Sequence, residues 1–126
     1  MSGCLNKVEL IGRLGQNPEA RQTKDGKTYV RFTLATNERG RHPETGEPRE
    51  RTEWHRIVIF NERLAEIAEA YLTKGRQVYL EGKMQTRGWT DPSGQERITT
   101  EVVLSGFNSQ LVLLDGQGSA TDEEAA

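Results

Sequence analysis

A chain of 126 residues with a formal net charge of −2 has room for one domain with a real core, not for two ordinary ones, and cannot hold a polyanion by bulk charge alone. Cys4 is the only cysteine, which excludes an internal disulfide and a cysteine-rich zinc site. The absence of a signal-like N-terminus or of roughly 18 consecutive apolar residues leads us to expect a soluble protein of a reducing cytoplasm. The charge is uneven, since residues 115–126 hold Asp115, Asp122, Glu123 and Glu124 without a Lys or Arg, and the rest of the chain is left at about +2.

Lys7 to Leu14 alternates Val8, Leu10, Gly12 and Leu14 against Lys7, Glu9, Ile11 and Arg13, the period of a half-buried strand. Gly15-Gln16-Asn17-Pro18 turns the chain, and Lys24-Asp25-Gly26-Lys27 is a tight-turn signal. A second strand, Tyr29 to Thr36, follows it, with Val30, Phe32 and Leu34 on one side and Tyr29, Arg31 and Thr33 on the other. Glu38 to Arg51 has no apolar period, contains Pro43, Gly46 and Pro48, and mixes both charge signs, so a long mobile hairpin loop is expected there. Such a loop serves either as a solvated connection or as part of a binding surface.

The third strand, Thr52 to Phe60, has two chemically different faces. Ile57 and Ile59, with Glu53 and His55, lie on one, while Trp54, Arg56, Val58 and Phe60 lie on the other. Groups two residues apart on a strand are roughly 7 Å from one another, near the step of an unstacked polynucleotide. Aromatic rings with a guanidinium between them make a platform on which bases of any sequence can stack while the cation holds a phosphate. Packing or cross-strand contact is the other use of the same rings.

After Phe60 the period lengthens, and Leu64, Ile67, Ala68, Tyr71 and Leu72 make the apolar stripe of a short helix, with Lys74-Gly75 as its expected left-handed cap. Val78, Leu80, Gly82 and Met84 then alternate with Gln77, Tyr79, Glu81 and Lys83 in a fourth strand that runs on toward Trp89 and can bend at Gly82. Asp91-Pro92-Ser93-Gly94 turns into a fifth strand, Arg97 to Leu104, and Leu111-Val112-Leu113-Leu114 ends the apolar material. Residues 1–114 thus read as one domain, and 115–126 as a disordered acidic C-terminal tail. The element order is that of an all-β, five-stranded Greek-key OB-fold barrel with one α-helix between strands three and four, a fold whose outer face commonly binds oligonucleotides. A meander with an accessory helix has the same order.

Asn6-Lys7-Val8, Gly12-Arg13-Leu14-Gly15, Thr33-Leu34-Ala35-Thr36, Thr45-Gly46-Glu47 and Thr52-Glu53-Trp54-His55-Arg56 resemble, in order and spacing, the bacterial single-stranded DNA-binding proteins. So do Ala65-Glu66, Tyr71-Leu72, Lys74-Gly75, Val78-Tyr79-Leu80-Glu81-Gly82, Thr86-Arg87 and Trp89-Thr90-Asp91, so that the resemblance spans residues 5 to 104. It implies an OB fold assembled as a homotetramer that wraps single-stranded DNA without sequence preference in replication, recombination and repair. The implied place is the cytoplasm, about the nucleoid, with no cofactor, metal, catalytic residue or membrane partner. The resemblance implies stacking by Trp54, Phe60 and Trp89, sets Lys7, Arg56, Lys74 and Arg87 near the strand, and puts His55 at a subunit contact. Arg76 joins those cations as an expected phosphate neighbour.

The chain departs from the family pattern in two places. Many relatives carry a third stacking tryptophan in the long loop, where this chain has Gly40. The family's acidic tail also ends in a proline- and phenylalanine-bearing tip that docks replication and repair proteins. This chain ends Asp122-Glu123-Glu124-Ala125-Ala126, so recruitment through the tail is expected to be poor. Two other functions compete with the reading. In an OB module for protein assembly, the same aromatics would bury against a partner. An enzyme would need clustered carboxylates or metal-spaced histidines, and His42 and His55 have no such spacing.

Overall fold

The computed structural model describes residues 3–106 and 108–114, so the expectation for the tail at 115–126 lies outside the described residues. The elements are β1 (Val8–Leu14), β2 (Glu19–Gln22), β3 (Thr28–Arg41), β4 (Pro48–Ile59), α1 (Glu62–Tyr71), β5 (Gln77–Thr90), β6 (Glu96–Leu104) and β7 (Gln110–Leu113). The five long strands follow one another as β1-β3-β4-β6-β5, and β1 pairs in turn with β5, Ile11 opposite Tyr79, so the sheet closes on itself. β4 and β6 run parallel, Ile57 to Ile59 beside Val102 to Leu104. With α1 between the third and fourth of these long strands, this is the expected OB barrel.

The alternating apolar residues fill the barrel: Leu14, Val30, Phe32, Leu34, Ile57, Ile59, Val78, Leu80, Val102 and Leu104 are all buried in one cluster. Full burial of such side chains contributes about 1.5–3 kcal/mol each. Leu64, Ala65, Ala68 and Leu72 of α1 and its C-cap join the same cluster, so the helix plugs the barrel with its apolar stripe, while Tyr71 stays exposed. Asn61 caps the helix by accepting the Leu64 N–H at 3.0 Å. The chain leaves the helix through Leu72 in an extended conformation, so the left-handed Gly75 (φ 88°) belongs to the following turn and is not the helix cap itself.

Closing so small a barrel forces backbones together. A Cβ on Gly12 would lie 2.3 Å from the Ala35 carbonyl oxygen, and one on Gly82 2.6 Å from that of Val103. Glycine at these positions is a matter of space. Gly82 lies within the long β5, where the sequence allowed a bend.

Three segments differ from the sequence reading. The expected long mobile loop at Glu38 to Arg51 is an ordered ribbon: β3 and β4 remain paired out to Arg41 opposite Pro48, and only residues 42–47 turn. The alternation there is one of charge, with Glu38 opposite Arg51 and Arg39 opposite Glu50, so a search for apolar period passes over it. β2 and β7 are the other additions, edge strands on β3 and β5. β2 is exposed along its whole length and therefore carries no hydropathy signal.

Candidate nucleic-acid interface

Register places the side chains of interest. Pairing of Thr33 with Arg56 and Arg31 with Val58 on β3 and β4, and of Arg87 with Thr99 and Gln85 with Glu101 on β5 and β6, turns these residues to the outside of the barrel. Three shallow depressions adjoin along this face, one at Trp54 and Arg56, one at Arg56, Arg87 and Trp89, and one at Arg87, Tyr29 and Phe60. Together they form one groove past the three aromatic rings that sequence reasoning selected.

Each ring is held by a different contact. Trp54, 58% exposed, lies over Gly15, where an added Cβ would meet its Cζ3 at 2.3 Å. Trp89 donates its Nε1 hydrogen to Thr99 Oγ1 at 2.7 Å, which fixes the indole while leaving it 41% exposed. Phe60, 45% exposed, rests against Tyr29 with centroids 5.3 Å apart and planes tilted by 34°. Apolar surface of this size left open on one face is what stacking on bases requires.

The guanidiniums of the face are mostly spoken for. Arg31 donates through Nε and Nη2 to Glu19 Oε1 at 3.4 and 3.3 Å and thereby lowers the Glu19 carboxyl below its ordinary range. Arg97 Nε donates to Asp91 Oδ2 at 2.9 Å. Arg87 grips Glu101 with two bonds, Nε to Oε1 at 3.3 Å and Nη2 to Oε2 at 3.0 Å, and this contact raises the Arg87 pKa. Arg56 alone of these four has no carboxylate partner among the described residues.

Of the remaining candidates, Lys7, Lys74 and Arg76 are not among the residues that line this groove, and His55 touches it at the Trp54 depression. The Lys74 backbone N–H donates to Asn17 Oδ1 at 2.8 Å, which sets the residue beside the turn that carries Gly15 under Trp54. Arg76 Nη1 donates to the Tyr71 carbonyl at 3.1 Å and so faces the C-terminal end of α1, where its charge suits the helix dipole. Lys7 pairs with Glu81 at 3.5 Å in a separate depression that meets the groove only at Val103. His55 shares a 2.9 Å hydrogen bond between Nε2 and Thr36 Oγ1 and is half-buried on the side opposite Trp54. Tyr29, Arg31, Thr99, Gly15 and Glu101 belong to the site and were not selected from sequence. Strand parity hints at Tyr29 and Arg31, but the others need the register between strands.

A second outer face, on β1, β5 and β7, carries the cross-strand row Ile11, Tyr79 and Val112, with Ile11 and Val112 exposed. The Tyr79 hydroxyl lies against Glu81 and, at 2.9 Å, Glu9, and the Glu81 carboxylate raises its pKa. Among the described residues no helix is long and apolar enough to cross a membrane.

Comparison with known proteins converges on one group. Residues 5–111 match the model of the Single-strand binding protein family. A single-stranded DNA-binding protein of Rickettsia typhi is 56% identical over 119 residues, which cover 94% of this chain and 78% of the relative. One of Rhizobium meliloti is 51% identical over 118 residues, covering 94% and 68%. Among solved structures, the Plasmodium falciparum SSB in complex with ssDNA superposes with a TM-score of 0.83 at 38% identity, over 91% of this chain and 99% of that one.

Proposed function

The chain belongs to the single-strand binding protein family, and we infer from this that it binds single-stranded DNA without sequence preference and keeps it protected and unpaired during replication, recombination and repair. The family binds and does not catalyse. The observation that carries the reading is the groove in which Trp54, Trp89 and Phe60 stand open on one face with an unpaired Arg56 between them. The rings stack successive bases while Arg56 takes a phosphate between them. Lys74, Arg76 and Lys7, beyond the groove's own lining, extend the path. Every base has a π-face, so a site of this kind tolerates all sequences.

The exposed Ile11 and Val112 row supports assembly as a homotetramer, with His55 at a contact between subunits. A bacterial cytoplasm, about the nucleoid, is the place such a protein serves. Titration with oligothymidine while tryptophan emission is followed tests the reading. Stacked indoles are quenched, whereas an OB module built for protein assembly leaves the emission unchanged.

A further inference from the structure

We propose that Glu101 is a built-in competitor for the DNA backbone: a fixed carboxylate in the strand groove that occupies Arg87 and limits how tightly the strand is held. The proposal rests on the reading of this face as a single-strand groove. Glu101 lines all three adjoining depressions and is the most central charged group of the face. It is also the one buried carboxylate among the described residues, with 10% of its side chain exposed against 51% for its partner Arg87.

Glu101 differs from the other acids of the face. Glu19 is half-exposed at an edge strand and splits one oxygen between Arg21 and Arg31. Asp91 is consumed by its own turn, accepting from Ser93, Gln95 and Arg97. Glu101 instead presents both oxygens to one guanidinium in the middle of a surface meant for a polyanion. A phosphate that approaches Arg87 meets a donor fork already filled by a carboxylate of the same planar reach. Nη1 stays outside this grip, but to use the Nε–Nη2 edge a phosphate must displace Glu101 and leave that carboxylate buried without a partner, which is strongly unfavourable. Arg56, with no such partner, stays open to phosphate. The face therefore carries cations of two kinds, one available and one held back. The consequence for function is a shorter residence time, because affinity differences within one interface fall mostly on the off-rate.

The experiment is a salt titration of oligothymidine binding by the full chain and by Glu101→Gln, Arg87→Ala, Arg56→Ala and the Glu101→Gln/Arg87→Ala pair. Each phosphate contact on single strands contributes about −0.7 to the slope of log K against log salt. Freeing Arg87 in Glu101→Gln should steepen the slope by about 0.7 and raise affinity about eightfold at 50 mM salt, the gain fading toward 1 M. Adding Arg87→Ala should take that whole gain away. Alone, Arg87→Ala should flatten the slope less than Arg56→Ala does. A folded Glu101→Gln protein that binds no tighter at an unaltered slope overturns the proposal and leaves the pair as a strut between β5 and β6. Should Glu101→Gln not fold, Arg87→Ala decides: a slope flattened as much as by Arg56→Ala overturns it too. Absence of binding by the unmodified chain rejects the single-strand reading itself, and binding with a failed Glu101 test rejects only the competitor.

Discussion

Trp54 is positioned by its neighbours as much as by its own strand. Losing a stacked aromatic costs about 1–3 kcal/mol per base, so Trp54→Ala should weaken oligothymidine binding roughly tenfold or more with the melting midpoint little changed. The floor beneath the ring offers a second route to the same effect. A side chain at Gly15 would strike Trp54 Cζ3 and Thr33 Oγ1, at 2.3 and 2.8 Å for its Cβ, so Gly15→Val should displace the indole and reduce binding without removing any aromatic. Unchanged affinity in both variants, measured by fluorescence anisotropy, would remove Trp54 from the platform. Asp91 acts at the same scale on stability. Hydrogen bonds from the Ser93 side chain first, then Arg97 and the Gln95 backbone, hold its carboxyl down to about 2. A depressed carboxyl stabilises fully above its unfolded value of about 3.9, and the contribution is lost as pH falls through about 2. Urea midpoints of the native chain and Asp91→Asn should therefore differ more at pH 5 than near pH 2, by an amount that solvent screening keeps modest; a gap constant with pH would contradict this.

Among the elements, the closed barrel is closely packed, and the β3–β4 ribbon continues beyond it. The difference is visible in what a methyl group would meet. At Gly12 it would meet the Ala35 carbonyl, but at Gly40, on the ribbon, it meets nothing within 4 Å. Overpacking typically costs 1–3 kcal/mol, so Gly12→Ala should lower the melting midpoint by roughly 5–15 °C, and Gly40→Ala should leave it near the original. Equal midpoints for the two variants would mean that β1 is not pressed against β3 as the register has it. Gly40 also marks what the ribbon lacks, because glycine presents no ring to a base. The ribbon strands around Gly40 carry arginines and no aromatic ring, so aromatic stacking is expected in the barrel groove and not on the ribbon.

For the whole molecule, the two outer faces differ in chemistry. The β3-β4-β6-β5 face holds the groove, and the β1-β5-β7 face holds the apolar row of Ile11 and Val112. Burying that row between copies also covers apolar surface that a lone barrel leaves to water. Sedimentation equilibrium at micromolar concentration should give about four times the chain mass of 14.2 kDa, and Ile11→Glu should lower the mass while Trp54 keeps its place in the groove. A single-chain mass for the unmodified protein would refute the assembly.

Sequence alone determined the barrel strands and the helix, because apolar residues at a period of two or 3.6 leave little choice of which side faces a core. Val30, Phe32, Leu34, Ile57 and Ile59 were legible as interior for that reason, and Trp54, Arg56 and Phe60 as a face of their own. It did not determine the ribbon or β2, whose pairing rests on charge alternation and backbone hydrogen bonds without an apolar stripe. Nor could it reveal that Arg87 and Arg56, alike on paper, differ in availability. That difference depends on Glu101, fourteen residues from Arg87 in the chain, being brought to its guanidinium by the antiparallel pairing of β5 with β6. A local pattern decides which way a side chain points, whereas only strand register decides which charge it meets there.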